Sequence, residues 1–203
     1  MNTRSLALSI TFAAIAIALN AVKIPTIYWP GASYNFSEIP IVAAFLLFGP
    51  KIGVLVGLLN FAGQEVLFPL GVPFMAAYPI ALTGLLFMLL GTYLATKYLA
   101  RKRTEKTCSD RKRMFYLTAF ASATRGAIMP VIIYEIFYHI MLPLVGIKIP
   151  EAILVGLIPS FFVFALTVPL YTIPIAYVIA TKVSKSLQIE PYLMSKPGRD
   201  SEI

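Results

Sequence analysis

Apolar residues run along this chain in long blocks. They cover about 5–24, 38–48, 51–68, 73–98, 114–143 and 151–182. A block of about 18 or more apolar residues has the length of a bilayer-spanning helix. A membrane β-barrel would show segments of about 10 residues alternating in polarity, and the chain has none. The pattern predicts an all-α integral membrane protein. The block Leu6–Val22 follows a single Arg4 and has the look of a signal peptide. Because the rest of the chain is equally apolar, a retained first span is the simpler reading.

The stretch 36–57 decides the topology. Phe36-Ser37-Glu38-Ile39-Pro40 opens one apolar run, and Phe48-Gly49-Pro50-Lys51 joins it to the next. Gly49-Pro50 is either a kink in one helix or a turn between two. The charges choose between them. Lys97, Arg101, Lys102, Arg103, Lys106, Arg111, Lys112 and Arg113 crowd the segment between the fourth and fifth blocks, against Glu105 and Asp110. Positive charge collects on the cytoplasmic side of a membrane protein. Lys182, Lys185, Lys196 and Arg199 place the C-terminus on that side, and Arg4 the N-terminus. One span over 38–68 would put the basic segment outside. A turn at Gly49-Pro50 puts 14 of the 17 Lys and Arg inside, leaving Lys23 and Lys148 outside and Arg125 within the membrane. The expected architecture is a six-transmembrane-helix bundle over 1–186, with both termini cytoplasmic and a polar tail over 187–203. The run 38–48 is about 16 Å long as a helix. It must be extended by its flanks or be packed inside the protein. The last block stays one irregular span despite Pro159, Pro169 and Pro174, since splitting it would put its basic end outside.

Composition sharpens the picture. Charged residues make up 13% of the 203, against about 25% in soluble domains. The net charge of +8 suggests loop topology before any nucleic-acid partner. One cysteine, Cys108, excludes an internal disulfide and a CxxC metal knuckle.

Polar groups inside apolar blocks are the candidate chemistry. Arg125, Glu135 and His139 lie in the fifth block, where each central charge costs roughly 2.5–3.5 kcal/mol. On one continuous helix they fall on a polar stripe with Thr118 and Ser122, with Tyr134 and Tyr138 on the other side. Glu135 and His139 reach the outer third, level with Gln64 and Glu65. The external segment 23–37 carries Tyr28, Trp29, Tyr34, Asn35 and Phe36. These fit an interfacial aromatic belt, or a lid stacking on a flat ligand. Trp29-Pro30-Gly31 predicts that the segment folds back. The fourth block opens with Pro73, Tyr78 and Pro79, a kinked start suited to lining a cavity. Glu38, Tyr78 and these polar and aromatic residues form the candidate substrate site. Arg125 can also be structural, pairing with a carboxylate to hold helices together. Ala14 and Ala18 form a small-xxx-small pair that serves intramolecular packing or a partner helix equally well.

Catalytic sets are missing. There is no G-x-S-x-G, Walker motif, H-E-x-x-H or paired Asp motif, and one His cannot make a zinc site. An outward polar pocket without a motor points to a binding subunit. A small membrane enzyme using Glu135 and His139 as acid and base, and an assembly subunit whose polar stripe is glue, are the rival readings.

The chain resembles the substrate-binding (S) components of energy-coupling-factor (ECF) vitamin importers. The resemblance covers about 5–182. It rests on the alanine-rich first helix, on Phe36-Ser37-Glu38-Ile39-Pro40, and on Phe48-Gly49-Pro50-Lys51-Ile52-Gly53 followed by Gly57. It implies a prokaryotic cell-membrane protein that needs no cofactor and no metal and captures a vitamin beneath the first external segment. It also implies docking through Ala14 and Ala18 on a transmembrane coupling protein that carries two cytoplasmic ATPases. Riboflavin-type members are the most similar, and Tyr28, Trp29 and Tyr34 would stack on a flat ring. The last helix, reading Ala165-Leu-Thr-Val-Pro-Leu-Tyr171, departs from the asparagine-bearing pattern of many members. Arg125 would also suit an anionic vitamin such as pantothenate.

Overall fold

A computed structural model describes residues 3–25, 33–67, 77–102, 109–144, 146, 148, 150–189 and 191–192. Six long helices dominate the described residues: α1 (Thr3–Leu19), α2 (Glu38–Phe48), α3 (Pro50–Leu67), α4 (Ala77–Lys102), α5 (Asp110–Ile132) and α7 (Glu151–Leu187). A short helix, α6 (Leu142–Leu144), follows a π-helical continuation of α5 over Ile133–Met141. Two short strands, β1 (Lys23–Pro25) and β2 (Ser33–Asn35), pair antiparallel with Lys23 opposite Asn35. The segment between α1 and α2 thus folds back as expected, but as a small hairpin, a β element that helical periodicity did not predict.

The break at Gly49-Pro50 is real. Gly49 ends α2 at φ +95, a conformation that side chains with a Cβ avoid. Its N–H still donates to the Phe45 carbonyl at 2.9 Å. Pro50 then opens α3, where its missing N–H costs nothing. A Cβ at Gly53 would lie 2.5 Å from that of Phe45, and one at Gly57 would lie 3.6 Å from Ile41. These contacts run in opposite directions along the two helices, so α2 and α3 form an antiparallel hairpin. Every residue from Ile39 to Leu47 is buried. The short α2 is the centre of the bundle, wrapped by its neighbours rather than by lipid.

Relative directions follow from other contacts. Phe12 meets Phe48, and Asn20 meets Asn35, so α1 opposes α2. Phe36 packs on Tyr171, and Phe45 on Tyr192, so α2 and α7 run the same way. Ser122 meets Leu166, and Asp110 meets Tyr177, so α5 opposes α7. Tyr98 meets Tyr116, and Thr124 bonds Phe87, so α4 opposes α5. The start of α1, the Gly49-Pro50 turn, the adjoining ends of α4 and α5 and the end of α7 therefore share one end of the bundle. That end holds Lys51, Lys97, Arg101, Arg111, Lys112, Arg113, Lys182 and Lys185. Lys23 and Lys148 lie toward the other.

Three helical stretches, Pro79–Arg101, Asp110–Glu135 and Glu151–Leu187, are long and apolar enough to cross a membrane. Leu86, Leu90, Leu94, Phe115, Phe162 and Leu170 are exposed on their outer faces. Between helices, close packing takes the place of a hydrophobic drive. Gly91 lies against Thr124 and the Phe120 carbonyl, and Gly126 against Leu166. α7 is 37 residues with three internal prolines, the single irregular helix that the charges required.

Candidate functional site

Arg125 and Glu38 meet deep in the bundle. Arg125 Nη1 donates to Glu38 Oε2 at 2.6 Å, and Nη2 donates to Oε1 at 3.1 Å. The two side chains are 5% and 13% exposed. This bidentate geometry is the strongest form of the Arg–carboxylate pair. α5 brings Arg125 in beside Gly84 and Met88 of α4. Glu38 arrives from the first turn of α2, where a carboxylate also suits the helix dipole. The Nε–H of Arg125 is buried and finds no acceptor among the described residues.

A second cluster lies at the same end of α2. Asn35 Nδ2 donates to Asn20 Oδ1 at 2.6 Å, and Asn20 Nδ2 donates to Asn60 Oδ1 at 2.8 Å. The Ser37 N–H donates to Asn35 Oδ1 at 2.9 Å, and the Tyr171 hydroxyl donates to the Asn35 carbonyl at 3.1 Å. The Tyr34 and Thr167 hydroxyls are 2.8 Å apart. The Tyr34 ring lies 5.1 Å from Phe164 and 5.8 Å from Tyr171, and Phe36 lies 6.0 Å from Tyr171. The hairpin is therefore fastened to α7 by polar and aromatic contacts and to the end of α1 through Asn20, which in turn bonds α3.

The expected site residues divide. Tyr34, Asn35, Phe36, Glu38 and Arg125 are gathered around the N-terminal end of α2. Gln64 and Glu65 are half-buried on the last turns of α3, beyond Asn60. Tyr28 and Trp29 lie outside the described residues, as does the side chain of Tyr78.

Glu135 and His139 correct the expected stripe. Both are exposed, and Tyr134 and Tyr138 are the half-buried pair. Tyr134 and Tyr138 stack at 6.1 Å, with the His139 ring edge-on to both. The Tyr134 hydroxyl donates to Glu151 Oε1 at 2.6 Å. The expected phase assumed one α-helix through this block. Pro130 has no N–H to give the ladder, and the chain widens into a π-helix from Ile133. Each wider turn rotates later side chains away from the α-helical phase. Thr118 and Ser122 precede the change. Ser122 is buried and bonds the Leu166 carbonyl at 3.3 Å, while Thr118 is half-buried and bonds the Met114 carbonyl at 2.8 Å.

Asn20, Tyr171, Thr167 and Phe164 are additions to the expected set. Asn20 could have been noticed as the lone amide at the end of an apolar block, a costly residue in lipid without a partner. Thr167, Phe164 and Tyr171 carry no such signal in an apolar helix. Ala14 and Ala18 are exposed on α1 with Ala7, Ile10, Thr11 and Ile15, while Ala13 and Ala16 are buried. Among the described residues no His, Cys, Asp and Glu cluster could hold a metal ion.

No family model matches the chain, and no curated protein matches it. A solved structure described as the S component of a bacterial ECF transporter is similar, with a TM-score of 0.71 at 18% sequence identity. The likeness covers 93% of this chain and 99% of that one. The chain shares the fold of that S component over most of its length.

Proposed function

We propose that this chain is the substrate-capture subunit of an ECF-type importer, a binding protein and not an enzyme. The observation that carries the reading is the near-complete fold likeness to an S component. The exposed apolar faces and the gathering of basic residues at one end support a multi-pass membrane protein, and the importer reading places it in a prokaryotic cell membrane. On this reading six segments cross the bilayer, the basic end and both termini are cytoplasmic, and the hairpin faces outward. The partners are a transmembrane coupling protein with two cytoplasmic ATPases. Ala14 and Ala18 offer that coupling protein a lipid-exposed small-residue face on α1.

The ligand is a vitamin held beneath the hairpin, with riboflavin favoured. Tyr34, Phe36 and Tyr171 supply aromatic surface, Tyr28, Trp29 and Tyr78 would add to it, and Asn35, Gln64 and Glu65 add polar contacts. Glu135 and His139 remain candidates for the rim. Arg125 keeps its buried Nε–H, which has no acceptor among the described residues, available to a ligand acceptor. Its charge is already matched by both oxygens of Glu38, which favours a neutral vitamin over an anionic one such as pantothenate.

Mass spectrometry of ligand released from the purified, denatured protein tests this reading, followed by titration with a vitamin panel. A bound flavin would establish class and substrate together. Another vitamin would keep the class and replace the substrate. An empty protein that binds none of the panel would overturn the proposal.

A further inference from the structure

Among the anchors of the outer hairpin, the amide of Asn20 is the one that comes from the end of α1. This side chain is fully buried, and both its polar groups are used: the oxygen accepts from Asn35, and the nitrogen donates to Asn60. The α1–α3 contact does not need it, because one turn away Ile17 fills the space over Gly63 by packing alone. What packing cannot supply is a directed acceptor for the Asn35 amide. A buried amide must also be fully paired to be tolerated. Asn60, itself 6% exposed, satisfies the other half of Asn20 and holds it in one orientation.

Fixing Asn35 fixes its neighbours on both sides. Tyr34 precedes it and reaches Thr167 and Phe164. Ser37 follows, and its N–H on Asn35 Oδ1 forms the turn that launches α2. One residue later Glu38 pairs with Arg125. The Tyr171 hydroxyl closes the arrangement from α7.

We propose that Asn20, held by Asn60, is a positioning residue for the ligand site: through Asn35 it sets the place of Tyr34 over the site and of Glu38 beside Arg125. The proposal adds to the vitamin-capture reading, and its positional part does not depend on which ligand binds.

The test uses the full chain in a Cys108→Ser background with Ser33→Cys on the hairpin. Labelling by a membrane-impermeant maleimide reports hairpin release, and riboflavin titration reports the site. Asn20→Leu keeps the branching and number of heavy atoms but removes both bonds. It should raise the labelling rate and weaken riboflavin binding by about tenfold or more, the scale of one lost directed bond. Asn60→Leu should act in the same direction. Asn60→Gln, which keeps an uncharged amide acceptor for Asn20, should change both values less than Asn60→Leu does. Phe12→Ala, a core truncation elsewhere on α1, should lower the melting temperature and leave labelling unchanged. If Asn20→Leu does not fold, Asn60→Leu with its Gln counterpart decides alone.

Unchanged labelling in the leucine variants would overturn the proposal. So would equal labelling gains in Phe12→Ala, which would mark a general loosening. Raised labelling with a parent protein that never binds riboflavin would support the positioning role and overturn only the choice of riboflavin.

Discussion

Glu38→Gln removes one charge from a buried pair and leaves the shape nearly intact. Arg125, 5% exposed, would keep its charge with no carboxylate opposite. Stranding a buried charge in this way costs about 3–5 kcal/mol. The lower end applies here, because the glutamine carbonyl still accepts one Nη hydrogen and the Glu38 side chain is 13% exposed. Partners found in the membrane-embedded unfolded state reduce such costs further. An estimate of about 3 kcal/mol corresponds to a fall of about 6–12 °C in melting temperature for a chain of this size. Thermal unfolding in detergent, followed by the fluorescence of Trp29 or by circular dichroism, measures it. The double variant Glu38→Gln with Arg125→Gln replaces the ion pair by two neutral amides that can bond each other. It should recover most of the loss, with a coupling energy of about 1–3 kcal/mol. A single-variant shift below about 2 °C, or strictly additive losses in the double variant, would refute the claim that Arg125 depends on Glu38.

Three further outcomes are expected. Gly53→Ala puts a methyl 2.5 Å from Phe45 Cβ and should cost about 1–3 kcal/mol by forcing α2 and α3 apart; Gly156→Ala, with nothing within 4 Å, should stabilise its helix by about 0.5–1 kcal/mol, and equal shifts in the two melting curves would contradict this packing. Ala14→Leu with Ala18→Leu should abolish copurification with the coupling complex and leave vitamin affinity within about twofold, because both side chains are exposed rather than packed inside the bundle; intact assembly would remove α1 as the docking face. A Thr104→Cys probe in the Cys108→Ser background should react with impermeant reagents only from the cytoplasmic side, and external labelling would reverse the proposed orientation.

Much of the architecture was readable without coordinates because it rests on local chemistry. Apolar block length sets where helices form. Gly49-Pro50 stops one helix and starts another through a positive φ and a missing N–H, both properties of those two residues. Charge parity then demanded two antiparallel segments there, and Phe45 against Gly53 shows them. The same reasoning misplaced Glu135 and His139. Helical phase accumulates along a chain, and the π-helical turns after Pro130 shift it beyond what α periodicity can follow.

Partners across the bundle were decided by the tertiary structure. Arg125 announced itself as a buried cation in an apolar block, yet its carboxylate comes from Glu38, 87 residues earlier. Several acids were within plausible depth, and depth along a helix does not say which helices touch. The amide chain through Asn20, Asn35 and Asn60 joins three elements whose proximity no spacing encodes. The sequence by itself determined the helices, the break at Gly49-Pro50 and the segregation of charge, since propensity, block length and charge act locally. Only the fold decided which polar groups meet, because a buried ion pair or amide pair forms where packing brings polar atoms of two distant elements within about 3 Å.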